Sequence, residues 1–360
     1  VRILMDGIFH RLYGSMRDLR YVLELHPNVE FRLYEPLNLF KPWTWNNRLH
    51  DKIMIVDGKI GLISGRNIGN RYYLSAEMTK EFVFDMDVVV LTADGTNGQS
   101  GVGQLVEYFS LLWEHRLTGR MSSWITPRRE ARAQKRRTVL LQRLEEIRLN
   151  YPQHFIDSLD WLEEESIPVE RMQLIHNPVM RGKKHPWVWA SLVHLAHEAE
   201  ESIVVQSPYI IPTRGMLKYL EEESLAGKEV LLLTNSLASS PNLFGVAGYE
   251  SKRDFLGSRA TEIWEYYGPG SLHGKAVLFD QHLSAVGSFN MDARSSFLST
   301  ETMLVIESEE FNGHLREVMR EKAAYSQPIL ATQATPSAPL PKRLMVGMVR
   351  VLAWFIDYLL

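Results

Sequence analysis

Short apolar runs alternate with longer stretches of helical periodicity along this chain, and the pattern predicts strands separated by helices. The order of these elements occurs twice. Each copy has a first strand, a helical stretch, a second strand, a histidine motif and a closing strand. The three strands lie at 2–5, 29–34 and 85–91 in the first copy and at 229–233, 261–266 and 301–306 in the second. The repeat predicts an α/β fold of two lobes related by a pseudo-twofold axis, each a mixed β-sheet flanked by helices, with the active site at the seam.

The second copy carries an additional strand at 203–209 and a helix ahead of its first matched strand, and the first copy has no counterpart. The chain also starts at Val1 directly before an apolar run. We therefore expect this sequence to be a piece of a longer protein, with a strand and a helix of the first lobe missing.

The predicted organisation has five parts: a first lobe at 1–115, a charged helical inter-lobe segment at 116–186, a second lobe at 187–324, a linker at 325–342 and a terminal helix at 343–360. The linker is predicted from its Pro, Ala, Thr and Ser content. The inter-lobe segment carries a basic cluster made of Arg128, Arg129, Arg132, Lys135, Arg136 and Arg137. A solvated helix face explains such a cluster, and a surface for anionic lipid headgroups is the alternative.

The terminal stretch 343–360 is apolar except for Arg343, Arg350 and Asp357, which are spaced seven residues apart. Because seven residues are close to two helical turns, these charges form one narrow stripe. The pattern favours an amphipathic helix that lies in a membrane interface. A helix packed on the protein's own core is the alternative.

Charge and cysteine content narrow the classes of function. A formal net charge of -3 provides no overall attraction for nucleic acid, which argues against a nucleic-acid partner. The sequence contains no cysteine, so disulfides and thiolate metal sites are excluded. We expect chemistry without a cofactor or a metal ion.

Each half of the repeat contains the pattern HxKxxxxD. Its residues are His50, Lys52 and Asp57 in the first copy and His273, Lys275 and Asp280 in the second. Asn67 and Asn290 each follow their histidine by 17 residues. One such motif is common on exposed strands, whereas two motifs with matched asparagines inside a repeat indicate a functional site.

Residue spacing predicts how each motif folds. Side chains two residues apart on a strand point to the same face, so each histidine lies beside its lysine. The pair Asp57-Gly58 predicts a hairpin that returns the chain and brings Asn67 close to His50. Each imidazole needs an acceptor that orients it, and the candidates are Asp57, Asp280, Asp85 and Glu301.

Two imidazoles, two ammonium groups and two amides would then surround one tetrahedral phosphoryl group. Lysine and amide donors stabilise the charge on its oxygens, which is the main task in phosphoryl transfer. One imidazole can attack phosphorus, and the other can protonate the leaving oxygen and deprotonate the incoming hydroxyl group.

With its doubled motif and the tetrad Gly287-Ser288-Phe289-Asn290, the sequence resembles the phospholipase D superfamily and, within it, the C-type branch of bacterial cardiolipin synthases. The closer likeness is carried by segments 64–69, 208–213, 233–238 and 287–295. The lobes at 1–115 and 187–324 are accordingly expected to be phospholipase D-like.

The resemblance also implies residue roles. His50 is the nucleophile and His273 the general acid and base, while Asn67, Ser288 and Asn290 bind substrate. The first tetrad reads Ser64-Gly65-Arg66-Asn67 and has no serine two residues before its asparagine, so we expect that half-site to hold phosphate differently.

The reaction implied is transfer of a phosphatidyl group from a donor phospholipid, phosphatidylethanolamine or phosphatidylglycerol, to phosphatidylglycerol through a phosphohistidine. A hydrolytic phospholipase D or phosphodiesterase is the first alternative, since water competes for the same intermediate. A nuclease of the same superfamily is the second and a non-enzymatic membrane scaffold the third. The expected partners are phospholipid substrates, the membrane surface and an accessory protein. The expected location is the bacterial inner membrane, as a peripheral or monotopic protein.

Overall fold

The computed structural model describes residues 1–329 except 11, 75–76, 93–99, 121–124, 153–154 and 156–158, together with Gly347. The described strands are β1 (Arg2–Asp6), β2 (Glu30–Tyr34), β3 (Ile53–Val56), β4 (Ile60–Ser64), β5 (Val83–Phe84), β6 (Asp87–Leu91), β7 (Thr118–Arg120), β8 (Arg171–His176), β9 (Ser202–Gln206), β10 (Glu229–Asn235), β11 (Glu262–Tyr266), β12 (Ser271–Leu272), β13 (Ala276–Phe279), β14 (Leu283–Gly287), β15 (Thr302–Glu307) and β16 (Ser326–Pro328). The described helices are α1 (Arg17–Leu25), α2 (Asn70–Tyr73), α3 (Gly101–Glu114), α4 (Pro127–Asn150), α5 (Asp160–Glu164), α6 (Trp187–Glu198), α7 (Arg214–Leu217), α8 (Leu243–Gly257), α9 (Ala293–Phe297) and α10 (Glu309–Ala323).

Residue contacts divide the chain into two compact units. One comprises Val1–Leu49 and Tyr108–Ser166, and the other comprises His50–Glu107 and the described residues from Ile167 onwards. Both histidine motifs therefore belong to the second unit. The five-part organisation inferred from the repeat follows different boundaries and stays a prediction.

The first unit is built on a three-stranded sheet of order β1-β2-β7, with β1 and β2 parallel and β7 antiparallel to β2. Leu12, Phe31 and Leu33 form its buried centre. The helix α1 packs against α4, and Arg132 of the basic cluster pairs with Asp18 of α1 at 2.7 Å. At least this member of the cluster is engaged within the protein.

The second unit contains an eight-stranded sheet of order β16-β11-β10-β9-β13-β14-β15-β8. The strands β9, β10 and β11 are parallel, and the other neighbours are antiparallel. Apolar side chains cover both faces at β13, since Val277 and Phe279 enter the main core while Ala276 and Leu278 pack with residues of α10. The prediction of an α/β fold with mixed sheets and helices is confirmed.

The strand β8 corrects one prediction. The residues Arg171–His176 pair antiparallel with β15 at the edge of the sheet, so a helical segment across 116–186 is wrong for this stretch. Gln104 of α3 accepts the Leu174 N–H at 2.7 Å and donates to the Met172 carbonyl at 3.1 Å, which satisfies part of the open edge. The charge pattern of the segment suggested a helix, whereas this stretch is a strand that is stabilised by pairing with β15, far along the chain.

The terminal helix predicted at 343–360, apart from Gly347, and most of the predicted linker lie outside the described residues. Among the residues that are described, no helix combines the length and the apolar character needed to cross a membrane.

Each histidine motif leads into a hairpin, β3–β4 in the first copy and β13–β14 in the second, and the predicted Asp57-Gly58 turn is confirmed. Asp57 and Asp280 begin the two turns with φ of 49°, a left-handed conformation that aspartate tolerates. The Asp280 carboxylate also accepts three backbone N–H groups, from Glu200, Glu201 and Ser202, at 2.7–2.9 Å. Although burial alone would raise it, these donors lower the pKa of Asp280 overall. Asp280 therefore ties its hairpin to the start of β9.

We expect Asp280→Ala to lower the free energy of unfolding by about 1–3 kcal/mol more than Asp57→Ala. Both changes place alanine in the same left-handed conformation, so the difference reports on the three hydrogen bonds that Asp280 accepts. Urea denaturation followed by circular dichroism measures both variants. Equal losses would contradict the structural part assigned to Asp280.

Candidate active site

The two histidine motifs meet inside the second unit. In each copy the histidine and lysine lie in extended chain immediately before β3 or β13. Hydrogen bonds from the returning strands hold this extended chain, since Ser64 N–H donates to Lys52 O at 3.0 Å and Gly287 N–H donates to Lys275 O at 3.3 Å. The histidine and lysine of each motif are two residues apart in extended chain, as predicted, although neither residue belongs to β3 or β13 itself.

The strands β5 and β12 connect the two copies directly. They form a short parallel pair, in which Val83 lies opposite Ser271 and Phe84 opposite Leu272. The Phe84 carbonyl accepts the N–H groups of His273 and Gly274 at 2.7 and 3.2 Å. The first copy therefore fixes the backbone of the second motif.

A carboxylate from the second copy orients His50. Its Nδ1 lies 2.9 and 3.0 Å from the two carboxylate oxygens of Glu301. The Glu301 side chain is fully buried, whereas His50 keeps 28% of its side-chain surface exposed. The hydroxyls of Ser288 and Ser295 donate to the same carboxylate at 2.6 and 2.7 Å. When Glu301 is ionised it accepts the Nδ1–H, which leaves the lone pair on Nε2.

A carboxylate from the first copy orients His273 in the same way. Its Nδ1 lies 2.6 Å from Oδ2 of Asp85, a fully buried side chain, and His273 keeps 20% of its own side-chain surface exposed. The Met86 N–H donates to the other carboxylate oxygen at 3.1 Å. The two imidazole–carboxylate pairs are thus reciprocal, because each copy supplies the acceptor for the other copy's histidine.

Burial favours the neutral form of both motif imidazoles. Burial, with the charges of Lys52 and Lys275, holds the pKa of His50 well below its usual value. Burial and the charge of Lys275 lower the pKa of His273 to about 3 against the opposing effect of Asp85. A neutral imidazole is the form that can act as a nucleophile or a base.

The two carboxylates differ in their affinity for a proton. Burial raises the pKa of Glu301 to about 7, in spite of the hydroxyl donors and the nearby lysines. Burial also raises the pKa of Asp85, but the charge of Lys275 and the hydrogen bond from His273 lower it overall. Asp85 is therefore ionised at neutral pH, while Glu301 holds a proton more readily than Asp85 does.

Each motif lysine is held by its own histidine. The Lys52 ammonium donates to the His50 carbonyl, and the Lys275 ammonium donates to the His273 carbonyl. The Lys275 Nζ also lies 2.7 Å from Nδ1 and 3.2 Å from Nε2 of His273. Burial lowers the pKa of Lys275 to about 7. An anion bound between the imidazoles would favour the charged form of this lysine.

The two tetrads support the carboxylates differently. In the second tetrad Ser288 donates to Glu301 and accepts the Thr302 N–H at 3.1 Å, so its hydroxyl serves the orienting carboxylate. Gly65 occupies the matching position in the first tetrad, and a Cβ there would lie 2.5 Å from Asp85 Oδ1 and 3.1 Å from Lys275 Cδ. Lys275 and the Asp85 carboxylate fill the space that a serine side chain would need at position 65.

The two matched asparagines lie in different surroundings. Asn67 donates to the Tyr72 hydroxyl at 3.0 Å, and the Tyr72 ring packs edge-on against His273 with centroids 5.2 Å apart. Asn67 is thereby linked to the histidine of the other copy. The Asn290 N–H donates to the Ser295 hydroxyl at 3.3 Å, and among the described residues its buried Oδ1 has no hydrogen-bond partner. That oxygen is available to a ligand hydroxyl group.

Of the four candidates for orienting the imidazoles, Asp85 and Glu301 contact them. Asp57 and Asp280 lie in the hairpin turns, at the far ends of β3 and β13 from the histidines. Four residues of strand separate each lysine from its turn aspartate, so the side chains of Asp57 and Asp280 do not reach the imidazoles.

Sequence reasoning missed Tyr72 and Ser295. Each lies 22 residues after its motif histidine, at matching positions of the repeat. Tyr72 touches His273 directly, and Ser295 touches the carboxylate that holds His50. The matched offset is a signal that could have found them, but the unlike residue types conceal it.

Two neutral imidazoles and two lysines can bind a tetrahedral anion and transfer it, and the Asn290 amide oxygen can accept a hydrogen bond from a ligand hydroxyl group. The imidazoles supply a nucleophile and a proton carrier, and the lysines stabilise negative charge. Within the described ranges, no group of three or more His, Cys, Asp or Glu side chains is placed to hold a metal ion.

The chain is similar to known proteins in sequence. A family model described as "Cardiolipin synthase, PLD-like domain" matches residues 192–322. Cardiolipin synthase C of Escherichia coli is 25% identical over 343 residues, which cover 86% of this chain and 70% of that protein. An uncharacterized Helicobacter pylori protein is 25% identical over 364 residues, which cover 91% of this chain and 69% of the relative.

One solved structure supports the fold over the whole chain. The crystal structure of phosphatidylserine synthase from Haemophilus influenzae Rd KW20 matches with a TM-score of 0.63 at 16% identity, covering 100% of this chain and 83% of that one. At this identity the match concerns the fold alone.

We expect Gly65→Ala to disturb the His273–Asp85 pair, because the added Cβ would lie 2.5 Å from the Asp85 carboxylate. Overpacking of this kind costs about 1–3 kcal/mol, seen as a lower melting temperature. Gly69→Ala is the matched control, since its Cβ would meet Tyr72 at an ordinary 3.6 Å and its backbone is extended. Thermal unfolding of both variants tests this, and equal stability would show that the contact at Gly65 is not restrictive.

Proposed function

Because the chain belongs to the phospholipase D-like superfamily, we propose that it is a phosphatidyltransferase of the cardiolipin synthase type. It moves a phosphatidyl group from a donor phospholipid, phosphatidylethanolamine or phosphatidylglycerol, to phosphatidylglycerol through a phosphohistidine. The likeness to cardiolipin synthase C supports this substrate class. The observation that carries the mechanism is the reciprocal pairing of the two motif histidines with buried carboxylates.

The surroundings of the two imidazoles favour His50 as the nucleophile. Burial and the charges of Lys52 and Lys275 keep His50 neutral, and an ionised Glu301 that accepts its Nδ1–H leaves the Nε2 lone pair free to attack. A protonated His273 is stabilised by the ionised Asp85 at 2.6 Å, which suits a general acid. An anionic phosphodiester beside Lys52 and Lys275 would offset the lysine charges and raise the pKa of His273 towards the working range.

The reaction then proceeds in two displacements. His273 takes up a proton from solvent when the anionic phosphodiester binds. His50 Nε2 attacks phosphorus, the bond from phosphorus to the donor headgroup oxygen breaks, and His273 gives that proton to the oxygen. His273 next removes the proton from a hydroxyl of the acceptor phosphatidylglycerol. The acceptor oxygen attacks phosphorus, and the phosphorus–nitrogen bond to His50 breaks. Lys52, Lys275 and Asn290 hold the phosphoryl group, while Asp57 and Asp280 stabilise the hairpins that carry the motifs.

Water in place of the acceptor hydroxyl would make the protein a hydrolase, and this is the second candidate function. The exposed edges of His50 and His273 favour it, because they admit solvent as well as a lipid hydroxyl. We propose further that the active site lies where the two copies of the repeat meet, and that the parts at 1–115 and 187–324 are the two phospholipase D-like lobes.

A membrane surface is the proposed partner, and residues 36–45, which we call the aromatic loop, support it. Leu39, Phe40 and Trp43 are 71, 92 and 71% exposed. The loop is nevertheless ordered by its own hydrogen bonds, such as Trp45 Nε1 to Asn38 O at 2.9 Å and Phe40 N–H to Asn38 Oδ1 at 2.9 Å. Ordered apolar side chains in water are typical of a surface that inserts into a bilayer interface, where tryptophan is favoured. The proposed location is the bacterial inner membrane, as a peripheral or monotopic protein.

The transferase proposal is tested with phosphatidylglycerol vesicles, with and without phosphatidylethanolamine, and chromatography of the lipids. We expect a cardiolipin product from the wild-type chain and none from His50→Ala or His273→Ala, because neither imidazole can replace the other. His282→Ala, an exposed histidine in the β13–β14 turn, is the control. Phosphatidic acid as the main product would support hydrolysis instead, and full activity in either motif variant would contradict the mechanism.

The assignment of the nucleophile has its own test. A phosphodiester with a p-nitrophenyl leaving group needs no general acid, so His273→Ala should accumulate a covalent phosphoryl adduct. We expect peptide mass spectrometry to locate the adduct on His50. An adduct on any other residue would contradict this assignment.

The aromatic loop predicts vesicle binding. Phe40→Ser/Trp43→Ser should weaken binding to anionic vesicles at least about 10-fold, since each large side chain contributes about 1.5–3 kcal/mol when buried. Leu149→Ser/Trp161→Ser removes two other exposed apolar side chains of the same unit and is the control. Sedimentation with vesicles measures both. An equal loss in both variants would indicate general hydrophobic adsorption rather than a specific loop.

A further inference from the structure

The ends of β1 and β10 occupy the same place in the two copies. In each copy the first strand pairs in parallel with the second, with Asp6 opposite Tyr34 and Asn235 opposite Tyr266. Both tyrosines are fully buried. The residue after each strand end repeats the likeness, because Gly7 N–H donates to Tyr34 O at 2.7 Å and Ser236 N–H donates to Tyr266 O at 3.2 Å. Asp6 and Asn235 are therefore equivalent positions of the repeat.

Both side chains bind the residue that precedes a motif histidine. The Leu49 N–H donates to Asp6 Oδ2 at 2.9 Å. The Leu272 N–H donates to Asn235 Oδ1 at the same distance, 2.9 Å. Sequence similarity does not reveal this match, since one side chain is a carboxylate and the other an amide.

We propose that Asp6 and Asn235 are a matched pair of positioning residues, each of which fixes the backbone in front of one motif histidine and so sets the place of that imidazole. Asp6 acts on His50 through Leu49, and Asn235 acts on His273 through Leu272. The inference rests on the proposed function only for its effect on turnover; its effect on each histidine is independent of the reaction.

Asn235 makes the more extensive contact. Its amide nitrogen donates to the Leu272 carbonyl at 2.8 Å and to the Pro208 carbonyl at 2.9 Å, so the side chain binds both polar groups of Leu272. The side chain is almost fully buried, and such groups are costly to leave without partners. Leu272 is thereby attached to the ends of both β9 and β10.

Asp6 holds the residue before His50 through a hydrogen bond and an ion pair. Its other oxygen accepts the N–H groups of Ile8 and Phe9 at 2.8 and 2.7 Å and pairs with the buried Arg48 guanidinium at 3.1 Å. Arg48 directly precedes Leu49, so the ion pair and the N–H bond hold two successive residues. The Asp6 carboxylate thus joins Ile8 and Phe9, which directly follow it, to Arg48 and Leu49, which directly precede His50.

The consequence is a side-specific test. Asn235→Ala should displace His273 and leave His50 unchanged, and Asp6→Ala should do the reverse. An imidazole displaced from its carboxylate and lysine gains water, so its pKa rises towards the ordinary value near 6.5. The two imidazoles can be followed separately by NMR titration of histidine-labelled full-length protein, with His50→Gln and His273→Gln used for assignment. Asp6→Asn should shift the His50 titration as Asp6→Ala does, because its amide nitrogen would face either the Leu49 N–H or the Ile8, Phe9 and Arg48 donors.

Activity provides the second readout. A misplacement of about 1 Å can cost roughly 100-fold in rate, so we expect kcat to fall 10- to 100-fold in Asn235→Ala and Asp6→Ala with little change in KM. Asn312→Ala is the matched control, because Asn312 is a fully buried asparagine whose amide donates to the Leu283 carbonyl at 2.8 Å and not to the residue before either motif histidine. It should lower the melting temperature without moving either titration.

Asn235→Ser, which is smaller and still polar, replaces Asn235→Ala if the alanine variant does not fold. Shifts of both histidines together in either variant, or of neither, would overturn the proposal. A wild-type chain without activity on phospholipids would sink the proposed function and leave the titrations as the test of this inference.

Discussion

Each motif imidazole, His50 or His273, is held by a carboxylate that the other copy of the repeat supplies, and the rest of the site depends on this exchange. Neither motif is complete by itself, because His50 lacks an acceptor without Glu301 and His273 lacks one without Asp85. The parallel pair β5–β12 and the bonds from His273 and Gly274 to Phe84 O belong to the same exchange. The repeat therefore works as a single chemical unit.

The exchange is reciprocal without being symmetric. Glu301 is surrounded by two serine hydroxyls, whereas Asp85 has a backbone N–H and a lysine beside it. Gly65 stands where the second copy has Ser288, since the neighbours leave no room for a larger residue. Small differences in packing thus produce two carboxylates with different proton affinities, and two chemically equal histidines acquire environments suited to different tasks.

Local signals in the sequence were sufficient for much of this picture. The doubled motif identifies the histidines and lysines, and Asp57-Gly58 predicts the first hairpin, because turn chemistry and strand periodicity act over a few residues. The choice among four candidate carboxylates could not be made in this way, since it depends on which chains pack together. The strand β8 was missed for the same reason: its partner β15 lies far along the chain. Asp6 and Asn235 differ in residue type, and only the strand register shows them to be equivalent.

The contact between His50 and Glu301 joins residues 251 positions apart, and that separation has a consequence during synthesis. A ribosome adds roughly 5–20 residues per second, so about 13–50 s pass between the appearance of this histidine and that of its carboxylate. Until then the imidazole has no orienting acceptor, and side chains destined for burial around it remain in water. The site therefore cannot assemble in the nascent chain until nearly all of the second copy has been synthesised.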